Sequence, residues 1–161
     1  MNKNLPNKFL TTNSALKPLA KVDRRRKSKL LIAITSARSH YMQRWIIRKT
    51  FELDPDFNSN SMSFFFALGY SDNESQESNL TQIRIEDELE KRSDIILFPF
   101  VDNYENLSIK TFYIYQEAMK RIANDELIGK VLFYDDDCII DIGRIKYHID
   151  KHVSTNGRIN K

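Results

Sequence analysis

The chain has 161 residues, 41% of them hydrophobic and 29% charged, enough for one domain with a buried core and too few for two comfortable ones. Its formal charge of +3 is uneven: nine Lys and Arg against a single acid fall within residues 1–29, and the 16 basic and 21 acidic residues beyond leave a balance of −5. That balance argues against a nucleic-acid-binding face, and with Cys138 as the only cysteine an intrachain disulfide and a cysteine-built zinc cluster are excluded.

Residues 1–28 hold Pro6, Pro18 and most of the run KVDRRRKSK without sustained periodicity, and read as a basic, disordered leader. They lack the continuous apolar core of a signal peptide, and no apolar run in the chain approaches the ~20 residues of a transmembrane helix. The expectation is a chain with neither anchor nor export signal.

From residue 29 the character changes. Four short apolar runs follow, KLLIAITSA (29–37), SMSFFFALGY (61–70), SDIILFPFV (93–101) and GKVLFYDD (129–136), each of strand length and apolar on successive positions. Strands buried on both faces of a parallel sheet have this pattern. Between them, SHYMQRWIIRKTF sets Met42, Trp45, Ile46 and Lys49 at helical spacing, with Arg44 and Arg48 sharing another face. TQIRIEDELEKR predicts a more exposed helix. LSIKTFYIYQEAMKRIAND carries the stripe Phe112, Tyr115, Met119 and Ile122, which predicts a face packed on the sheet, and DIGRIKYHIDKH starts a further helix. Strand and helix alternate, so the expected architecture is α/β with a largely parallel sheet.

In such sheets ligands bind beyond the carboxyl ends of the strands, where TSARS, GYSDN and the triplet Asp135, Asp136 and Asp137 fall. Adjacent carboxylates raise one another's pKa and need compensation. A hard divalent cation such as Mn²⁺ or Mg²⁺ supplies it, taking one or two carboxylates and completing its shell with water and phosphate. In extended backbone, residues two apart point the same way, so Asp135 and Asp137 are expected to face one cation while Asp136 faces elsewhere. The competing readings are a hydrated acidic turn and a phosphatase that uses an aspartate nucleophile; for the latter, Cys138, Ile139 and Ile140 supply no hydroxyl or glycine where it is wanted. Gly-rich phosphate cradles are missing, the His148 and His152 pair lacks the HExxH pattern, and Ser36 beside His40 has no orienting acid in its neighbourhood. Asn73, Asn79 and Asn106 begin N-x-[ST] sequons, which matter only in the secretory pathway.

Four segments in order resemble the β-1,3-glycosyltransferases of the galactosyltransferase family, glycosyltransferase family 31. QRWIIRKTF (43–51) resembles its RRxAIRxTW, FFFALG (64–69) its strand ending in FLLG, ELEKRSDIILFPFVDNYENLSIKT (88–111) its E-x5-DII-x2-DF-x-DSY-x-NLTLKT, and KVLFYDDDCIID (130–141) its Y-x-LKTDDDVFVN. Phe51, Pro99, Asn103, Phe133 and Tyr134 depart from the pattern. The resemblance spans residues 30 to about 150.

The resemblance implies a GT-A, Rossmann-like nucleotide-sugar-binding half, over residues 29–161, of an inverting hexosyltransferase. The enzyme would move galactose, N-acetylglucosamine or N-acetylgalactosamine from a UDP-sugar to a glycoprotein or glycolipid hydroxyl through a β-1,3 linkage, with Mn²⁺ or Mg²⁺ as cofactor, on the lumenal side of the Golgi membrane. Metal ligands would be Asp135 and Asp137. Nucleotide-sugar contacts would be Thr35, Ser36, Arg44, Arg48, Lys110, Asp135 and Asp136, with an internal ion pair as the rival role for the arginines. The family's second half, which carries the general base, has no counterpart in this sequence. The other reading is accordingly an inactive module that binds nucleotide or protein.

Overall fold

A computed structural model describes residues 29–55, 61–71 and 76–155. The leader read over residues 1–28 and the sequon at Asn73 lie outside them. Four strands, β1 (Lys29–Thr35), β2 (Met62–Tyr70), β3 (Ile95–Val101) and β4 (Ile128–Asp135), form one sheet in the order β3-β2-β1-β4. Every pairing is parallel, as the continuous apolar runs require. Leu31 to Ile34 of the central β1 are wholly buried.

The helices are α1 (Tyr41–Glu52), α2 (Gln76–Lys91), α3 (Leu107–Asn124) and α4 (Ile142–Thr155). Ile47 and Phe51 of α1, Ile85 of α2 and Ile142 of α4 close one face of the sheet over Ile32, Ile34 and Phe66. Ile114 and Ala118 of α3 close the other over Leu31, Ala33, Phe65 and Ala67. This is the doubly wound arrangement: right-handed crossovers put helices on opposite faces once the strand order reverses, here between β1 and β4. No described helix is long and apolar enough to cross a membrane.

Two helix faces differ from their sequence patterns. The α3 stripe is not the face buried on the sheet: Phe112, Tyr115 and Met119 are 58%, 50% and 63% exposed, Tyr115 touches the edge strand β4 through Phe133, and of the four only Ile122 reaches the core. The buried face is Lys110, Ile114 and Ala118. The buried Lys110 ammonium must meet Asp102, and that ion pair fixes the rotation of the helix about its axis. In α1, Met42, Trp45 and Ile46 point outward, and the face carrying Arg44 and Arg48 turns in beside Ile47 and Phe51.

Gly69 sits at the register shift between β2 and β3. A Cβ there would stand 2.7 Å from both the Phe100 ring and the Phe100 carbonyl oxygen. The gap lets the Gly69 amide donate to Asp102 Oδ2 at 3.1 Å, which aims the other carboxylate oxygen at Lys110.

Candidate functional site

At the reversal point, Thr35 ends β1 opposite Asp135, the last residue of β4. The Asp136 amide donates to the Thr35 carbonyl at 3.1 Å, carrying the contact one residue past the strands. Beside it opens a cleft of about 350 Å³, lined by Thr35, Thr111, Tyr115, Phe133 and Asp135 among others. The Tyr115 and Phe133 rings lie 4.1 Å apart, centroid to centroid, along its wall.

The three aspartates separate by burial. Asp135 and Asp137 are exposed, whereas Asp136 is 7% exposed and faces inward. Its carboxylate meets His40 Nδ1 at 3.0 and 3.2 Å. Among the described residues, neither Asp135 nor Asp137 is paired with a basic side chain, and no three His, Cys, Asp or Glu side chains converge to hold a metal. Two exposed carboxylates fit a cation that keeps water and phosphate in its shell better than a closed protein cage would. The Cys138 thiol bonds to Asp137 at 3.5 Å, and that bond, with desolvation and the three nearby carboxylates, raises its pKa and keeps it protonated. The Tyr134 hydroxyl, one residue before the triplet, is buried without a hydrogen-bond partner among the described residues; burial, with Cys138 and Asp137 adding to it, pushes its pKa up to about 12.

Beneath this edge lies a buried ionic layer. Arg44 is fully buried, and each of its five N–H groups has an acceptor: Glu88 through Nε and Nη2, Ser36 Oγ and the Ala37 carbonyl through Nη1, and the Arg38 carbonyl through Nη2. Arg48 donates to Glu88 at 2.6 Å and to both oxygens of Asp94 at 2.8 and 2.9 Å. Burial works against the Arg48 charge, but the hydrogen bonds and charges of Asp94 and Glu88 outweigh it and raise its pKa. Lys110 donates to the Ser36 carbonyl at 2.7 Å and to Asp102 at 2.8 Å. Arg38 reaches the Gly69 carbonyl at 2.7 Å and also Gln82; desolvation lowers its pKa, with Asp102 opposing and Arg44 reinforcing.

The structure thus brings Thr35, Asp135, Asp136 and Asp137 together at the sheet edge and holds Arg44, Arg48 and Lys110 below it, with their charged groups turned to protein acceptors. For Arg48 this is the internal ion pair weighed from the sequence. Ser36 is buried with its hydroxyl on Arg44. Glu88, Asp94, Asp102 and His40 had no role from sequence. Two arginines four apart on a helix that packs on a sheet were the available signal, since buried guanidinium groups demand carboxylates.

The geometry defines a class first: a doubly wound, Rossmann-like α/β half with an acidic reversal point. The chain belongs to the galactosyltransferase family, whose model matches residues 42–160. It is 29% identical over 124 residues to the hydroxyproline O-galactosyltransferase GALT2 of Arabidopsis thaliana, covering 76% of this chain and 16% of that protein. It is 25% identical over 123 residues to human N-acetyllactosaminide beta-1,3-N-acetylglucosaminyltransferase 3, covering 76% and 32%. Against UDP-GalNAc:beta-1,3-N-acetylgalactosaminyltransferase 1 of Mus musculus it is 31% identical over 119 residues, covering 73% and 34%. The chain therefore spans about a third or less of the length of these relatives.

Proposed function

We propose that this chain supplies the donor-binding half of a β-1,3-hexosyltransferase that uses a UDP-sugar and a glycan hydroxyl and inverts the anomeric centre. The observation that carries the reading is the pair of exposed carboxylates, Asp135 and Asp137, standing without a basic partner at the β1–β4 reversal point beside a cleft. Mn²⁺ or Mg²⁺ held there would supply charge neutralisation for the departing diphosphate. Thr35 and Asp135 form the cleft wall against which the donor rests. Arg44, Arg48, Lys110 and Ser36 serve the site from below by fixing the ends of β1, β2 and β3 relative to one another. Asp136 serves it through the buried side of the turn. Acceptor activation is assigned to no residue of this chain. The printed activities of the relatives include galactosyl, N-acetylglucosaminyl and N-acetylgalactosaminyl transfer, so the reading extends to hexoses and N-acetylhexosamines. The compartment proposed with it is the lumenal side of the Golgi membrane.

The test is calorimetric titration of the purified chain with UDP, with and without Mn²⁺, beside Asp135→Ala and Asp137→Ala. Metal-dependent binding that disappears in Asp137→Ala is the expected result. A folded chain that binds UDP identically with and without the metal, or not at all, overturns the reading.

A further inference from the structure

We infer that His40 is a positioning residue for the acidic turn: by holding the buried Asp136 carboxylate it latches the β1–α1 loop to the end of β4 and sets the directions in which Asp135 and Asp137 present their oxygens. The inference rests on the donor-site reading and adds to it a residue and a role that neither the sequence pattern nor the family membership assigns.

Asp136 is the middle member of three adjacent carboxylates and the one removed from water. Placing a carboxylate there is costly unless a donor compensates it. Among the described residues His40 is the only hydrogen-bonding partner of its side chain, with Nδ1 3.0 and 3.2 Å from the two oxygens. A carboxylate in its ionised form only accepts, so in this contact Nδ1 is the atom placed to donate. The His40 side chain is 37% exposed, so it stands between the buried carboxylate and solvent.

The backbone on both sides is also tied. His40 precedes α1, and its carbonyl accepts the Arg44 amide at 3.1 Å. On the other strand, the Asp136 amide is fixed to the Thr35 carbonyl and the Cys138 amide donates to the Asp135 carbonyl at 3.2 Å, closing the turn that carries all three aspartates. With the Asp136 amide and carboxylate both held, the turn cannot rotate about its axis. Asp135 and Asp137 are then confined to the solvent side. Outer partners that orient metal-binding groups in this way typically change metal affinity by about 10–100-fold when removed.

The experiment follows Mn²⁺ binding through the electron paramagnetic resonance signal of the free ion, on the full chain in the presence of UDP. It compares the wild type with His40→Ala, His40→Phe and His40→Asn, each checked for native circular dichroism. Phe keeps a ring and removes the donor; Asn places an amide N–H close to the position of Nδ1. The expected result is a Mn²⁺ dissociation constant weakened about 10-fold or more in His40→Ala and His40→Phe and largely restored in His40→Asn. Adding Asp136→Asn to His40→Phe is expected to cost no further affinity. Wild-type affinity in a folded His40→Phe variant overturns the latch and leaves the donor site standing. If Asn fails to restore what Phe loses, the effect is packing and the latch is likewise overturned. A wild-type chain that binds no Mn²⁺ takes both readings down together.

Discussion

Glu88→Gln is the sharpest perturbation of the ionic layer. The substitution is nearly isosteric, so it removes charge without opening a cavity. Glu88 compensates two guanidinium groups at once, meeting Arg44 and Arg48 each at 2.6 Å. Arg48 retains Asp94, but among the described residues Arg44 has no other carboxylate partner, and it is fully buried. Breaking a buried pair by removing one partner typically costs about 3–5 kcal/mol, and one orphaned charge with a second partly compensated places Glu88→Gln at about 4 kcal/mol. A domain of this size shifts its melting midpoint by roughly 3 °C per kcal/mol, so the expected drop is about 12 °C. Thermal and urea unfolding followed by far-UV circular dichroism measures it, with an unchanged urea slope showing that the loss is in stability. Replacing Arg44, Arg48 and Glu88 together by methionines, with Asp94→Asn so that the second carboxylate on Arg48 is not orphaned, is expected to recover part of the loss, because the desolvation cost leaves with the charges. A Glu88→Gln midpoint within about 2 °C of the wild type would refute the reasoning, since it would mean that the layer is hydrated.

Tyr134→Phe is expected to raise stability by about 1 kcal/mol at neutral pH, because it deletes a buried hydroxyl without a partner; chemical denaturation measures the change. The same hydroxyl titrates late: its pKa stands at about 12 in the fold against 10.0 as reference, so the neutral form is favoured in the native state. That contribution is fully present below pH 10 and is lost as pH rises towards 12, and Tyr134→Phe should flatten this loss and remove a step near pH 12 from the tyrosinate absorbance titration. Gly69→Ala forces a methyl to 2.7 Å from Phe100 and is expected to cost about 1–3 kcal/mol by thermal melting, with the register of β2 on β3 disturbed.

The strands were legible because burial on both faces leaves a continuous apolar run, and KLLIAIT, MSFFFALGY, IILFPFV and IGKVLFYD differ from the sequence reading by at most two residues at either end. The parallel order and the gathering of acids at the carboxyl edge follow from the same pattern. The helix faces were less legible. In α3 the large apolar residues Phe112, Tyr115 and Met119 outweigh Ile114 and Ala118 in any hydrophobic average, yet the smaller pair packs on the sheet because Lys110 on the same face must reach Asp102. The carboxylate partners of the two arginines lie 40 to 46 positions away in sequence, so no local pattern ties them together. His40 and Asp136, 96 positions apart, meet only because β1 and β4 are neighbours in the sheet.

The outward turn of α1 leaves the sole tryptophan, Trp45, on the solvent side, 44% exposed beside Met42 and Ile46. Its indole is therefore partly hydrated in the native chain, and loss of the fold is expected to shift its emission less than it would shift that of a fully buried tryptophan. A fluorescence melt of this protein would report the transition through the outer surface of one helix and with a small spectral shift. The same placement makes Trp45 a selective optical probe: a blue shift at constant circular dichroism would register burial of that helix surface against another molecule.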